Sequence, residues 1–182
     1  MILDITFFAV AIPAVLFSGI SKGGFGSGAG FAVTPVLALI LEPAQAVGLM
    51  LPLLMLMDAS GLVAYWRQWD ARAARALVLG AIPGILIGAA VYGYANPDVF
   101  RFMIGLVAVA YVVFRITLAR GWIPPAKRPL SARAGMMAGV AAGFTSFVSH
   151  AGGPPASIYL LSQKFSKTMY QSTTLAAFWA IN

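Results

Sequence analysis

The chain of 182 residues has no cysteine and one histidine. Disulfides, Cys-ligated zinc and iron–sulfur clusters are thereby excluded, and no metal or cofactor is expected. Charge is also scarce: 9% of residues are charged, against roughly 25% in an ordinary soluble domain. Twelve Lys and Arg outweigh five Asp and Glu, giving a net charge of +7. That excess does not point to nucleic acid, because the basic residues gather mostly in two short loops between apolar blocks. What is abundant is hydrophobicity, 60% of the chain, arranged in blocks of about 20 residues, the length that crosses a bilayer core of roughly 30 Å. Stretches such as Leu77 to Ile87 lack the period-two alternation of a barrel. The fold class is therefore all-α, a polytopic helical membrane protein, whose first partner is the lipid bilayer.

The first apolar block, Ile2 to Ile20, lacks a basic leader region and reads as mature protein rather than a signal peptide. It runs into Ser18 to Pro35, which holds five glycines between Gly23 and Gly30 together with Lys22. Each glycine costs about 1 kcal/mol relative to alanine in a helix, so a break is expected there. Phe31 to Leu41 is too short to span alone. Full spans are expected over Ala46–Trp66, Ala74–Tyr94 and Val99–Leu118, with Asn96-Pro97-Asp98 as a tight turn. The loops 67–75 and 119–133 carry the basic residues and are expected to be cytoplasmic. Ala134 to Val148 leads to a second break, Ser149 to Pro155, then the short apolar piece Ala156 to Leu161, and a further span starting at Thr173.

Sliding the chain on itself by 124 positions puts Gly19 on Gly143, Ser21 on Thr145, Gly28 on Gly152 and Asp58 on Asn182. Both halves then read as short apolar block, glycine-rich break, short apolar block, loop and span. With opposite starting sides, the halves become inverted repeats, each with a glycine-broken helical hairpin followed by spanning helices. The expected division is a first repeat over 1–118, the basic loop 119–133, and the start of a second repeat over 134–182. By this logic about 60 further residues would complete the second repeat, so the sequence reads as a C-terminally truncated fragment.

The strings G-I-S-K-G-G-F-G-S-G-A-G (Gly19–Gly30) and G-F-T-S-F-V-S-H-A-G-G-P-P-A-S-I-Y-L-L (Gly143–Leu161) resemble the two repeat motifs of the sulfite exporter TauE/SafE family. The resemblance covers essentially the whole chain. It implies a multi-pass permease of the cell inner membrane that carries a small anion, such as sulfite, sulfoacetate or a related organosulfonate.

A cation at membrane depth is a functional-site candidate. Lys22 would attract an anion whose oxygens are also held by amides of Gly23, Gly24, Gly26 and Gly28, aided by the following half-helix N-terminus. Its bland alternative is snorkelling to an interface. His150, in the second break beside Gly152 and Gly153, could bind the anion, titrate as a coupling-proton site, or be a hydrogen-bonded helix-end residue. Asp58 lies about 13 Å inside the boundary at Arg67, as a coupling carboxylate or an ion pair for Lys22. Ser27 and Ser149, beside the glycines, are candidate oxyanion donors, although such hydroxyls commonly satisfy their own helices. Expected partners are thus a small anionic substrate and a coupled proton or ion, with homo-oligomers allowed. Two other readings compete: an intramembrane serine hydrolase using Ser27 and His150, and a passive anion channel.

Overall fold

In the computed structural model, residues 5–25, 32–122, 126 and 128–182 are described. Eight helices form among them: α1 (Ile5–Phe25), α2 (Val33–Leu37), α3 (Pro43–Ala64), α4 (Ala71–Tyr94), α5 (Pro97–Ala119), α6 (Ala132–Ser149), α7 (Gly153–Ser162) and α8 (Lys167–Ile181). Four of them, α1, α3, α4 and α5, are long and apolar enough to cross a membrane. This is a polytopic helical membrane protein.

Helix starts follow local chemistry. Asp70 accepts from the Ala73 amide at 2.7 Å, Asn96 from Val99 at 2.8 Å, and Ser166 from Met169 at 3.2 Å, each satisfying an orphan N–H of a first turn. Pro43, Pro97 and the pair Pro154-Pro155 open α3, α5 and α7, where a missing N–H costs nothing.

Several expected boundaries move; the last span, expected from Thr173, begins at Lys167, where Ser166 caps it. The glycine break does not begin at Gly23, because α1 continues through Gly23 and Gly24 to Phe25. The helix penalty of two glycines is small beside the tertiary bonds made by Lys22, described below. The half-helix expected over Phe31–Leu41 reduces to the five residues of α2, too few to carry a useful dipole.

Two apolar clusters hold the helices. One gathers Phe7, Leu37, Met50, Leu54, Phe100 and Ile104 from α1, α2, α3 and α5. The other joins Leu77, Ala81, Ala142, Leu160 and Phe178 from α4, α6, α7 and α8. Helix α4 thus packs with later elements, and its partner is α6. Small residues make that approach possible. A Cβ on Gly80 would strike the Met136 carbonyl, one on Gly84 the Val140 carbonyl, one on Gly139 that of Leu77, and one on Gly143 that of Ala81. This is the small-xxx-small packing of membrane helices.

Helices α6 and α7 form a hairpin whose open ends meet. The Leu130 amide donates to Ser162 Oγ at 3.2 Å, and Gln163 Nε2 donates to the Leu130 carbonyl at 3.0 Å. The chain therefore enters along α6 and returns along α7. Phe7 and Ala11 of α1 share an apolar cluster with Leu37 and Ala38. Among the described residues the order longer helix, short helix, helix occurs twice, as α1–α2–α3 and α6–α7–α8. Pro43 and Lys167, the first residues of α3 and α8, are separated by the same 124 positions as Asp58 and Asn182.

Candidate functional site

Lys22 sits one turn from the end of α1 and reaches across to α3. Its Nζ lies 2.8 Å from Asp58 Oδ1, with side-chain exposures of 11% and 0%, and also donates to the Leu54 carbonyl at 3.4 Å. Of the sequence alternatives for this lysine, the ion pair with Asp58 is the contact made. Bringing both charges out of water costs several kcal/mol per ion, which is tolerable only because they meet.

Asp58 has a second partner. Asn182 Nδ2 donates to Asp58 Oδ2 at 3.4 Å, and Asn182 Oδ1 accepts from Ser146 Oγ at 2.9 Å. The line Lys22–Asp58–Asn182–Ser146 thus links α1, α3, α8 and α6. Sequence reasoning set Asn182 opposite Asp58 but placed neither Asn182 nor Ser146 in the site. The signal was in the 124-residue shift, which places Lys22 on Ser146 as well as Asp58 on Asn182.

His150 caps α6 in the left-handed region, with φ 55°. A non-glycine residue there costs about 1 kcal/mol or more. Its ring offsets this by donating from Nε2 to the Val47 carbonyl of α3 at 3.0 Å. A carbonyl can only accept, so Nε2 carries the proton, and in the neutral ring Nδ1 is left with a lone pair. That atom is buried and has no partner among the described residues. Gln171 of α8 makes the corresponding link on the other side, donating from Nε2 to the Lys22 carbonyl at 3.0 Å.

The remaining candidates divide. Gly26, Ser27 and Gly28 lie outside the described residues. Gly23 and Gly24 are helical, so their amides belong to the α1 hydrogen-bond ladder rather than to an open nest. Ser149 directs its hydroxyl to the Thr145 carbonyl of its own helix at 3.5 Å. Gly152 is needed for packing, since a Cβ would meet the Ala142 carbonyl and Phe178 at 2.7 Å. At the start of α7, Pro154 and Pro155 have no N–H and Ala156 donates to the Gly152 carbonyl, which leaves Gly153 as the one first-turn amide that could face a ligand.

One cavity borders this line of side chains at Ser146 and Asn182, and a second borders Gln171. The first, about 390 Å³, is lined by Val47, Tyr92, Phe100, Ser146, His150 and Asn182 among others. Its aromatic wall is ordered by edge-to-face contacts of Tyr92 with Phe100 and Phe147. The other, about 400 Å³, is lined by Tyr65, Lys167, Thr168, Tyr170 and Gln171 among others. Ala44 and Val47 of the first cavity stand 124 positions before Thr168 and Gln171 of the second. Other lining positions of the two cavities do not correspond, and the first cavity draws on both early and late helices. A third cavity, about 690 Å³ between α3, α4 and α8, touches neither Lys22 nor His150.

The family model for the sulfite exporter TauE/SafE matches residues 11–182, nearly the whole chain. The chain belongs to that family. Membership agrees with the apolar helices and makes this TauE/SafE chain a multi-pass membrane protein of a transporter family. No curated protein and no solved structure gives a significant match.

Proposed function

We propose that this TauE/SafE protein is a secondary transporter that exports a small oxyanion, such as sulfite, sulfoacetate or a related organosulfonate, across the inner membrane. Two inverted repeats, 1–118 and one beginning at 134, give alternating access, with the basic loops 67–75 and 119–133 on the cytoplasmic side. The observation that carries this reading is the buried Lys22–Asp58 pair, bonded to Asn182 at the edge of the cavity lined by Ser146, His150 and Asn182. An intramembrane ion pair of this kind marks an ion pathway in transporters. Lys22 attracts the anion, while Asp58 and His150 are the groups that can carry a coupling proton.

The test is flux of sulfite or sulfoacetate into liposomes holding the full-length protein. Lys22→Gln is expected to lower flux at least tenfold while the protein still elutes as a single folded species. Undiminished flux in that variant would remove Lys22 from the site.

A further inference from the structure

Both oxygens of the Asp58 carboxylate are held by groups that would hold any oxyanion. Oδ1 faces the Lys22 ammonium at 2.8 Å, and Oδ2 accepts from Asn182 Nδ2 at 3.4 Å. Asn182 is in turn oriented by Ser146, whose hydroxyl donates to its Oδ1, so the amide must present its N–H to Asp58.

The arms Lys22–Asp58 and Ser146–Asn182 are equivalent under the 124-residue shift, and they meet each other at the Asp58–Asn182 bond. Residues related by a two-fold operation can touch their own counterparts only near its axis. The four side chains therefore stand where that axis would pass, charged on one arm and neutral on the other. A carboxylate at that point is an oxyanion tethered to the protein.

Resting on the transporter reading, we propose that the transported anion takes the place of the Asp58 carboxylate at Lys22 and Asn182, and that Asp58 accepts one proton as it gives up that place.

The charge balance requires the proton. With the anion bound and Asp58 still ionised, two buried negative charges would share one ammonium, and like charges in a dry site cannot both persist. With one proton taken up, the empty site (Lys22 cation, Asp58 anion) and the site loaded with a monoanion such as hydrogensulfite (Lys22 cation, bound monoanion, neutral Asp58) are both electrically neutral. Neutrality in both states lets the same pair cross between inward- and outward-facing forms without moving net charge through hydrocarbon.

The groups around Asp58 leave few other proton acceptors. Helix α1 brings Lys22, and α8 brings Asn182, with Lys167 at its far end. Helix α2 carries no charge. On α5, Arg101 engages Asp98 and the Ala38 carbonyl, and Arg115 stands near the other end of the helix. The α6–α7 break contributes His150, whose buried, unpartnered Nδ1 is the rival acceptor among the described residues.

The test uses the full-length protein in detergent and methanesulfonate, a strong-acid monoanion that itself binds no proton near neutral pH. Calorimetric titration in buffers of different ionisation enthalpy is expected to give about one proton taken up per anion bound. Affinity should fall about tenfold per pH unit as pH rises, the slope for one linked proton. Asp58→Asn should bind with no proton uptake and no such pH slope. Asn182→Ala, which removes a donor but no titrating group, should weaken binding several-fold and keep the uptake at one. Absence of binding at every pH, binding without uptake in the wild type, or uptake persisting in Asp58→Asn would overturn the proposal, the last by moving the proton to His150. A wild-type protein that binds methanesulfonate without proton uptake yet still moves sulfite would defeat this exchange and leave the transporter reading standing.

Discussion

Cutting one member of the Lys22–Asp58 pair should cost far more than cutting both. At 2.8 Å, Coulomb attraction at an effective dielectric near 20 comes to about 6 kcal/mol. Most of that offsets the desolvation of two groups that are 11% and 0% exposed. Lys22→Met leaves a carboxylate buried with only the long Asn182 bond, and Asp58→Leu leaves an ammonium with only the Leu54 carbonyl. Each single substitution should therefore destabilise the protein by about 3–5 kcal/mol. The double variant Lys22→Met/Asp58→Leu should recover most of this loss, since an apolar pair of similar volume is often neutral or better. The assay is thermal unfolding in detergent, followed by the fraction that remains monodisperse on gel filtration, for all four members of the cycle. A double variant whose loss equals the sum of the singles would refute the argument, because the two charges would then not be stabilising each other.

Two further outcomes test the frame around the pair. Gly84→Leu, driven into the Val140 carbonyl, should abolish recovery of folded protein, whereas Gly105→Leu, with nothing within 4 Å of its Cβ position, should fold normally in the same expression trial. Asp70→Ala removes the cap on Ala73 and should lower stability by about 1 kcal/mol, read as a lower Tm in the same detergent.

Much of the fold was legible because membrane helices advertise themselves. Runs of apolar residues gave the spans, and Asp70, Asn96 and the prolines marked where helices start. The second break was also readable, since Pro154 and Pro155 can open α7 but cannot continue α6. The first break was misjudged at its edge: propensity alone stops a helix at Gly23, while the contacts of Lys22 with Asp58, Leu54 and Gln171 carry α1 on to Phe25. Propensity is a weak prior when tertiary bonds are available.

The site was half legible. A lone lysine and a lone aspartate in apolar surroundings were visible as anomalies, and their pairing stood among the alternatives. The roles of Ser146 and Asn182 were not seen, because a serine and an asparagine carry no charge to draw notice; only their positions in the repeat do. The choice of His150 for a left-handed cap, with Gly152 and Gly153 close by, could not be read from composition. It follows from where Val47 offers its carbonyl.

The glycine seam between α4 and α6 also bears on how the chain is made. Helix α4 leaves the ribosome well before α6, with α5 and the basic loop between them. Its Gly80-Gly84 face therefore waits, already inserted, for a partner not yet synthesised. In that interval the face offers lipid only backbone and a shallow groove, to which acyl chains can fit loosely and from which they leave easily. Assembly thus has a set order: α4 and α5 enter as a hairpin, and the arrival of α6 closes the seam and brings Ser146 and His150 to the helices that Lys22 and Asp58 already occupy.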